Sequence, residues 1–425
     1  MAGEWIETTI GEIADVVGGS TPSTKDPANF DGHIPWLTPK DLSGPHRRYV
    51  ERGERNLSEQ GLRGCSAQLL PKNSVLLSSR APIGYVAIAA NPIATNQGFR
   101  SLVVKPEYHH EFLFYWLTAN VDELERHASG STFKELSGTS LKKIRIRLPA
   151  GREEQRAIAH ILGTLDDKIE LNRRMSETLE AMARALFKSW FVDFDPVRAK
   201  AEGRDPGLPK PLADLFPARL VDSELGEIPE GWEVKCVDDE FELTMGQSPP
   251  GKTYNETGEG MPFYQGRADF QFRFPKRRVY CTAPTRHAKA GDTLISVRAP
   301  VGDVNVAGED CAIGRGVAAA RHKSGSRSYT YYFMCGLADV FARFEGEGTV
   351  FGSISKKDFH AIPCVAAPEE AIKGFERVCA PIDRRLAISE RESRTLAALR
   401  DALLPRLISG ELRVEDAEKF IGRAD

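Results

Sequence analysis

The feature that most constrains the fold of this chain is an internal duplication. Trp5 matches Trp232 and Gly19 matches Gly246, and in both pairs the positions differ by an offset of 227. The same offset relates three further residues to identical ones, namely Pro22, Lys25 and Pro35 to Pro249, Lys252 and Pro262. Because chance similarity does not keep a constant offset, the chain contains two copies of one ancestral unit.

Later blocks continue the duplication at a slightly smaller offset. The segment SSRAPIG matches SVRAPVG and pairs Arg80 with Arg298 at an offset of 218, and Asp166 pairs with Asp383 at an offset of 217. The drop from 227 to 218 indicates nine extra residues in the first copy, between about Leu42 and Asn73.

Each copy contains a strand-rich domain followed by a long helix. Short β-type runs separated by Gly/Pro turns predict mixed α/β domains, and apolar residues spaced three and four apart predict one apolar stripe on each helix. A proline-rich stretch predicts a linker between the copies. The predicted segments are a domain at 1–150, a helix at 151–194, the linker at 195–223, a domain at 224–368, a helix at 369–412 and a tail at 413–425.

The predicted fold class is α+β, with two duplicated mixed α/β domains joined by two long antiparallel helices and related by pseudo-twofold symmetry. About 36 helical residues correspond to a rod of roughly 54 Å, which would hold the two domains at a set separation. Both stripes are interrupted by polar residues, at Asn172/Ser176 and Ser389/Ser393. Polar residues in a helix seam can fix the register, although an ordinary weak patch explains them equally well.

Composition narrows the possible functions. The sequence has no apolar run of the roughly 18 residues that a membrane span needs and no secretory signal, so we expect a cytoplasmic protein without a membrane partner. Seven scattered cysteines favour a reducing compartment over a disulfide framework. The formal net charge of −3 means that a nucleic-acid partner would have to be held by local basic patches.

One apparent catalytic motif is expected to be false. The segment GQSPPGKT, Gly246–Thr253, satisfies the phosphate-loop pattern, but Pro249 and Pro250 lack the backbone N–H groups that such a loop uses. A P-loop NTPase built around Lys252 therefore remains only an alternative, and a coiled-coil scaffold that does not bind DNA is a second one. No metal-ligand spacing or catalytic tetrapeptide is evident, so no catalytic or metal residue is assigned.

Duplicated strand-end residues are candidates for nucleic-acid contact. Arg80 and Arg298 each follow a β-type run, where an arginine can reach a guanine edge or a phosphate. Gln97 occupies the position of Arg315, and because glutamine favours adenine and arginine favours guanine, the two domains would prefer different sequences. A salt bridge repeated by the duplication would equally explain the Arg80/Arg298 pair, and turn chemistry alone the Gln97/Arg315 pair.

Basic side chains near these turns supply further candidates. A cluster of five basic residues within twelve positions contains Arg267, Arg273 and Arg277, and a basic residue lies in each Gly/Ser/Pro loop. Solvated surface charges would look the same. The complete set of predicted DNA-binding residues is Thr21, Lys25, Lys40, Arg80, Gln97, Lys252, Arg267, Arg277, Arg298 and Arg315.

The order of domains and helices resembles the specificity subunit of type I restriction–modification enzymes. Three segments carry the likeness: LGEIPEGWEV (Leu225–Val234), KSWFVDFDPV (Lys188–Val197) and LLPRLISGEL (Leu403–Leu412). The resemblance covers essentially the whole chain, although the opening EWIETTIGEIADV is an abbreviated counterpart of the second copy.

The resemblance implies a non-catalytic subunit with two target-recognition domains, each of which reads one half of an asymmetric gapped site in double-stranded DNA. The helices would set the gap and dock two methyltransferase (modification) subunits, together with restriction/translocase subunits where these exist. S-adenosylmethionine, ATP and Mg²⁺ would belong to the partner subunits, and this chain would hold no cofactor. The residues predicted to dock partner subunits are Ile169, Leu179, Leu186, Leu386, Leu396 and Leu403.

Overall fold

The structure, a computed structural model, describes residues 4–44, 47–130, 134–346 and 352–414, without the side chains of 345 and 346. The chain forms two compact units, Met1–Arg174 with Glu390–Asp425, and Met175–Ser389. Each unit holds one strand-rich domain and half of each long helix. The division between units therefore falls inside the helices, whereas the sequence-based segments end at the junctions of domain and helix. Most of the predicted C-terminal tail, 415–425, lies outside the described residues.

The domain of the first unit combines sheets with short helices. The strands described are β1 (Trp5–Thr9), β2 (Ala14–Gly18), β3 (Phe30–Leu37), β4 (Tyr49–Val50), β5 (Asn56–Leu57), β6 (Val75–Ser79), β7 (Ile83–Ala89), β8 (Ala94–Thr95), β9 (Arg100–Val104) and β10 (Arg145–Pro149). The α-helices are α1 (Ile10–Ile13), α2 (Glu59–Arg63), α3 (His110–Ala119), α4 (Val121–Arg126), α5 (Gly138–Lys143) and the long α6 (Arg152–Phe191), which continues into the second unit.

The main sheet of this domain has the strand order β2-β9-β6-β7-β4, and its neighbours are antiparallel except for the β4–β7 pair. Strand β6, with sequence VLLSS, is buried at every position. Helix α3 buries six consecutive residues, Phe112–Leu117, in the core beneath the sheet. A β-type run and an aromatic helical stretch thus form one core because each is largely apolar on the side that it buries.

The second unit repeats this arrangement. Its strands are β11 (Leu220–Ser223), β12 (Gly226–Pro229), β13 (Glu233–Cys236), β14 (Phe241–Met245), β15 (Tyr254–Asn255), β16 (Met261–Tyr264), β17 (Tyr280–Cys281), β18 (His287–Ala288), β19 (Thr293–Val297), β20 (Val301–Val306), β21 (Cys311–Ile313), β22 (Val317–His322) and β23 (Pro363–Ala366). Its helices are α7 (Asp195–Ala201), α8 (Lys210–Ala213), α9 (Val237–Glu240), α10 (Arg327–Gly336), α11 (Ala338–Gly346), α12 (Lys356–His360) and the long α13 (Glu369–Ser409).

The sheet order β14-β22-β19-β20 of the second unit matches β2-β9-β6-β7 of the first, strand for strand. Each unit also has a separate two-stranded sheet, β1–β10 or β13–β23, which pairs a strand near the start of the domain with the strand before a long helix. The duplication inferred from sequence is therefore present in the topology of each unit.

Within each unit the two long helices run antiparallel. In the first unit Asp166 of α6 accepts a hydrogen bond from Arg400 of α13 at 2.7 Å, and Asn172 donates to Glu392 at 2.8 Å. In the second unit the side chains of Met175 and Arg385 are in contact. The predicted fold class, mixed α/β domains with two long antiparallel helices, is confirmed.

The segment 195–223 is more structured than a proline-rich linker was expected to be. Helix α7 begins one residue after Phe194, and Phe194, Val197 and Phe216 are buried in the core of the second unit. Proline at the first turn of a helix costs no backbone hydrogen bond, so Pro196 is compatible with α7. Among the described residues, no helix has the length and apolar character that a membrane span requires.

Candidate nucleic-acid interface

In each unit three strand ends meet at one edge of the main sheet. In the first unit Gly18, the last residue of β2, pairs with Arg100 at the start of β9, and Ser78 of β6 forms a bridge with Phe99. In the second unit Met245 and Ser296 take the same places, beside the start of β22. The loops that leave these strands therefore lie together, which is where binding side chains usually sit.

The two Gly/Ser/Pro loops are pressed against the turns that precede β9 and β22. A Cβ atom on Gly19 would lie 2.1 Å from the carbonyl oxygen of Asn96, and one on Gly246 would lie 2.2 Å from that of Gly314. No side chain fits in such a space, so glycine is required at both positions.

This close approach brings predicted site residues into contact. In the first unit the Thr21 hydroxyl donates a hydrogen bond to the side-chain carbonyl of Gln97. In the second unit the backbone N–H of Arg315 donates to the Ser248 hydroxyl at 3.2 Å. Thr21 and Ser248 occupy matching positions in the duplication, as do Gln97 and Arg315.

Arg80 and Arg298 lie at the same edge, directly after β6 and β19. The residue after each of them has a positive φ that turns the chain sharply, 53° at Ala81 and 35° at Ala299. Arg80 lies 3.6 Å from a carboxylate oxygen of Glu135, but within the described ranges Arg298 has no carboxylate partner. A salt bridge thus explains the position of Arg80. No matching salt bridge is present at Arg298 among the described residues.

A basic cavity of about 620 Å³ opens at this edge in the second unit. Arg267, Arg278, Arg298 and Arg315 line it, and the buried carboxylate of Asp269 binds Arg278 at 2.9 Å. Arg267 also pairs with Asp303 at 3.2 Å, so the four guanidinium groups meet two carboxylates and the cavity keeps an excess of positive charge. It collects three of the residues predicted to contact DNA, which lie far apart in the sequence.

Other predicted contact residues lie elsewhere or already have partners. Arg277 forms a bidentate ion pair with Glu309, and Lys40 binds Glu54 at 3.0 Å. Lys25 and Lys252 are exposed.

Arg273 belongs to the same basic cluster in the sequence. The expectation that it lies on the surface is wrong. Its side chain is 3% exposed and binds carboxylates of the two long helices. It therefore has no access to DNA.

The geometry around Lys252 does not support the P-loop alternative. Gly251–Thr253 form a single 3-10 turn, and the two-residue strand β15 follows. A phosphate loop opens an α-helix whose N-terminal N–H groups face the phosphates, and no such helix begins here.

The residues predicted to dock partner subunits differ in their accessibility. Leu386 is fully buried and Leu403 is 6% exposed, because both pack within this chain. Neither can offer its side chain to a partner, so the prediction is wrong for these two residues. The other four, Ile169, Leu179, Leu186 and Leu396, are partly exposed.

A buried charged cluster in the first unit was missed by the sequence analysis. Arg48 donates to the Tyr115 hydroxyl at 2.9 Å, and that hydroxyl donates to Asp166 at 2.6 Å. Burial and the neighbouring Asp166 raise the pKa of Tyr115 well above its usual range. Burial also lowers the pKa of nearby His110 to about 4, so this imidazole is neutral at pH 7.

Comparison with known proteins gives the class to which this architecture belongs. The family model described as "Type I restriction modification DNA specificity domain" matches residues 2–181. The MjaIX specificity subunit of the type I restriction enzyme from Methanocaldococcus jannaschii is 33% identical, over 97% of this chain and 94% of the relative. The HindI specificity subunit from Haemophilus influenzae is 24% identical, over 88% and 89% of the two chains.

A solved structure shows the same fold. The S subunit of a type I restriction–modification system from M. genitalium superposes with a TM-score of 0.60 at 16% identity, and the match covers 95% of this chain and 96% of that one. The chain therefore belongs to the family of type I restriction enzyme specificity subunits. Its role is DNA recognition within a restriction–modification complex, which requires DNA binding and assembly with other subunits. The catalytic steps fall to those subunits, and neither the NTPase nor the scaffold alternative is supported.

Proposed function

We propose that each sheet edge described above reads one half of a gapped site in the major groove of double-stranded DNA. The observation that carries this proposal is that the same three elements meet in both units but present different side chains. Thr21 binds the side chain of Gln97 in the first unit, and Ser248 binds the backbone N–H of Arg315 in the second. Two unlike edges built on one plan would read two unlike half-sites.

The chemistry of these side chains suggests their base preferences. The guanidinium of Arg315 can bind O6 and N7 of guanine, and the amide of Gln97 can bind N6 and N7 of adenine. Each such bidentate contact discriminates against a wrong base by about 1–3 kcal/mol. Arg298 is suited to a phosphate contact beside the base, and so is Arg267 once a phosphate replaces its partner Asp303. Because the formal net charge is −3, such local contacts would have to supply the attraction to the DNA backbone.

In this proposal the paired helices set the length of the gap and dock two modification subunits. Those subunits would transfer the methyl group of S-adenosylmethionine to a flipped adenine, and translocase subunits would use ATP and Mg²⁺. This chain would hold none of these cofactors. A docking role fits large apolar side chains that stay exposed on the long helices better than those buried between the helices. The exposed ones are Leu171, Met182 and Ile388.

The first experiment maps methylated adenines in cells that express this chain with its modification subunits. The wild type should give one asymmetric bipartite motif. Exchange of residues 1–150 for a related domain should change one half of that motif and leave the other half and the gap unchanged. A motif that changes in both halves would contradict the separation of reading functions.

A single substitution tests the contact residue. Gln97→Arg should shift one position of the first half-site towards guanine, because the new side chain carries the guanine-binding fork. Gln68→Arg is the matched control, since Gln68 is an exposed glutamine of the same domain outside the three loops. An equal change of motif in both variants would exclude a specific role of Gln97.

The role of the helices is tested by lengthening both of them. Seven residues inserted after Met175 and seven after Arg385, which contact each other, keep the apolar stripes in phase. Seven helical residues add about 10 Å, or about three base pairs. The gap of the mapped motif should grow by that amount, and an unchanged gap would contradict the proposal.

A further inference from the structure

One buried arginine of the second unit's domain binds both long helices. Arg273 donates to Glu180 of α6 at 2.7 Å and to Asp383 of α13 at 2.5 Å. Its guanidinium also lies 3.4 Å from the centre of the Tyr331 ring. The Tyr332 hydroxyl, from α10 of the domain, completes the cluster at 3.4 Å from Glu180.

The first unit contains an equivalent cluster. Arg48, 11% exposed, reaches α6 through Asp167 at 2.9 Å and through the Tyr115 hydroxyl, which donates to Asp166. Asp166 in turn accepts from Arg400 of α13 at 2.7 Å. One arginine of the domain is thus connected to both long helices in this unit too.

The two clusters share an arginine, a tyrosine and one aspartate, whereas their other carboxylate comes from unrelated positions, Asp167 in the first unit and Glu180 in the second. Tyr115 pairs with Tyr332 at an offset of 217, which is also the offset between Asp166 and Asp383. The offset between Arg48 and Arg273 is 225, an intermediate value that is expected because both arginines lie where the offset falls from 227 to 218.

Such a cluster fixes the orientation of the domain on the helices as well as the contact between them. A guanidinium offers its N–H groups in a rigid plane, so its carboxylate and hydroxyl partners must keep their directions. A buried carboxylate without its cation is unfavourable, so rotation of the domain away from the helices is opposed. Apolar packing at the same junction tolerates sliding more readily, because it has no comparable directionality.

We propose that Arg48 and Arg273 are positioning residues for DNA recognition. Each holds its recognition domain at one orientation on the two helices of its own unit, and thereby restricts the gap between half-sites that the complex accepts. This inference depends on the proposed function, in which the two domains read separated half-sites.

The test neutralises the cluster of the second unit without leaving a buried charge. The variant combines R273M, E180Q and D383N in the full chain, assembled with its modification subunits. Binding is measured to duplexes that carry the mapped site, the site with a gap one base pair longer or shorter, and the site with one mismatch in each half. Arg204→Met is the matched control, since Arg204 is exposed in the segment before the second domain and pairs with nearby Glu202.

The neutralised variant should lose preference for the native gap by about fivefold or more, the lower end of usual coupling between sites. The penalty for a half-site mismatch should stay unchanged, because the reading edges are intact. The control should keep both preferences. Arg48 also lies 3.5 Å from Glu111, so R48M combined with E111Q and D167N should have the same effect in the first unit.

An unchanged gap preference in the neutralised variant would overturn the inference. An equal loss of affinity for every duplex would also overturn it, because that is the effect of a merely structural role. Arg273→Lys, which keeps the charge but not the fork, decides the matter in the same assay if the triple variant does not fold. A wild-type complex that fails to distinguish the mapped site from other DNA would instead refute the proposed function.

Discussion

Replacement of Arg273 by methionine should destabilise the second unit far more than the loss of an ordinary surface charge. Removal of one partner from a buried ion pair costs about 3–5 kcal/mol. Glu180 keeps Arg184 as a second partner at 3.2 Å, whereas Asp383 loses the cation that binds it. We therefore expect the lower end of that range, about 3 kcal/mol.

This loss corresponds to a fall in melting temperature of about 6–12 °C for a unit of this size. The assay is scanning calorimetry of the full chain, and hydrogen exchange in β19 identifies the transition of the second unit. Arg277→Met is the control because Arg277 comes from the same basic cluster but is 58% exposed. Its loss should cost less than about 1 kcal/mol.

A third variant separates a lost contact from an uncompensated charge. R273M combined with E180Q and D383N should recover most of the stability, since neutral groups of similar size remove the buried charge. The reasoning is refuted if the unfolding free energies of R273M and Arg277→Met differ by less than about 1 kcal/mol.

Three further predictions concern single residues. Because burial lowers the pKa of His110 to about 4 in the folded state, against 6.5 in the unfolded chain, stability should fall as the pH drops from 6.5 towards 4. His110→Asn should remove that part of the pH dependence, which urea midpoints at pH 7 and pH 5 measure, and an equal slope in both proteins would contradict the assignment. Leu386→Ala should cost about 2–5 kcal/mol because the side chain is fully buried, whereas Ile388→Ala, two residues away and 51% exposed, should cost less than about 0.5 kcal/mol. Similar urea midpoints for these two variants would show that Leu386 does not lie on the buried face of the second long helix. Met182→Glu should reduce co-purification of the modification subunits without a change in melting temperature, and full retention would exclude this part of α6 as a docking surface.

The local pattern of the sequence was sufficient to predict the architecture. The constant offset between copies predicted two similar domains, and the spacing of apolar residues predicted two long helices. Both are properties of the chain alone, since a helix or strand needs only its own periodicity to be recognised. The loop glycines Gly19 and Gly246 were also identified by the offset, before the structure gave the steric reason for them.

The site could be predicted only in part from the same information. Arg298 and Arg315 were found because the duplication marks them, and both lie at one edge of the sheet. Arg48 was not found, because it lies where the offset between copies changes and no alignment reaches across. The sequence also grouped Arg273 with Arg277, since both belong to one basic cluster. The structure separates them, because it buries Arg273 and leaves Arg277 exposed.

By itself, then, the sequence determined the duplicated plan, the helical stripes and the unlike residues at matching turns. Only the tertiary structure decided which charges are buried and which apolar residues remain exposed. Leu386 and Ile388 have the same apolar character, and the packing of the second helix buries one and exposes the other. Burial is set by residues distant in the chain, so Arg273 binds Glu180 and Asp383 although neither lies near it in sequence.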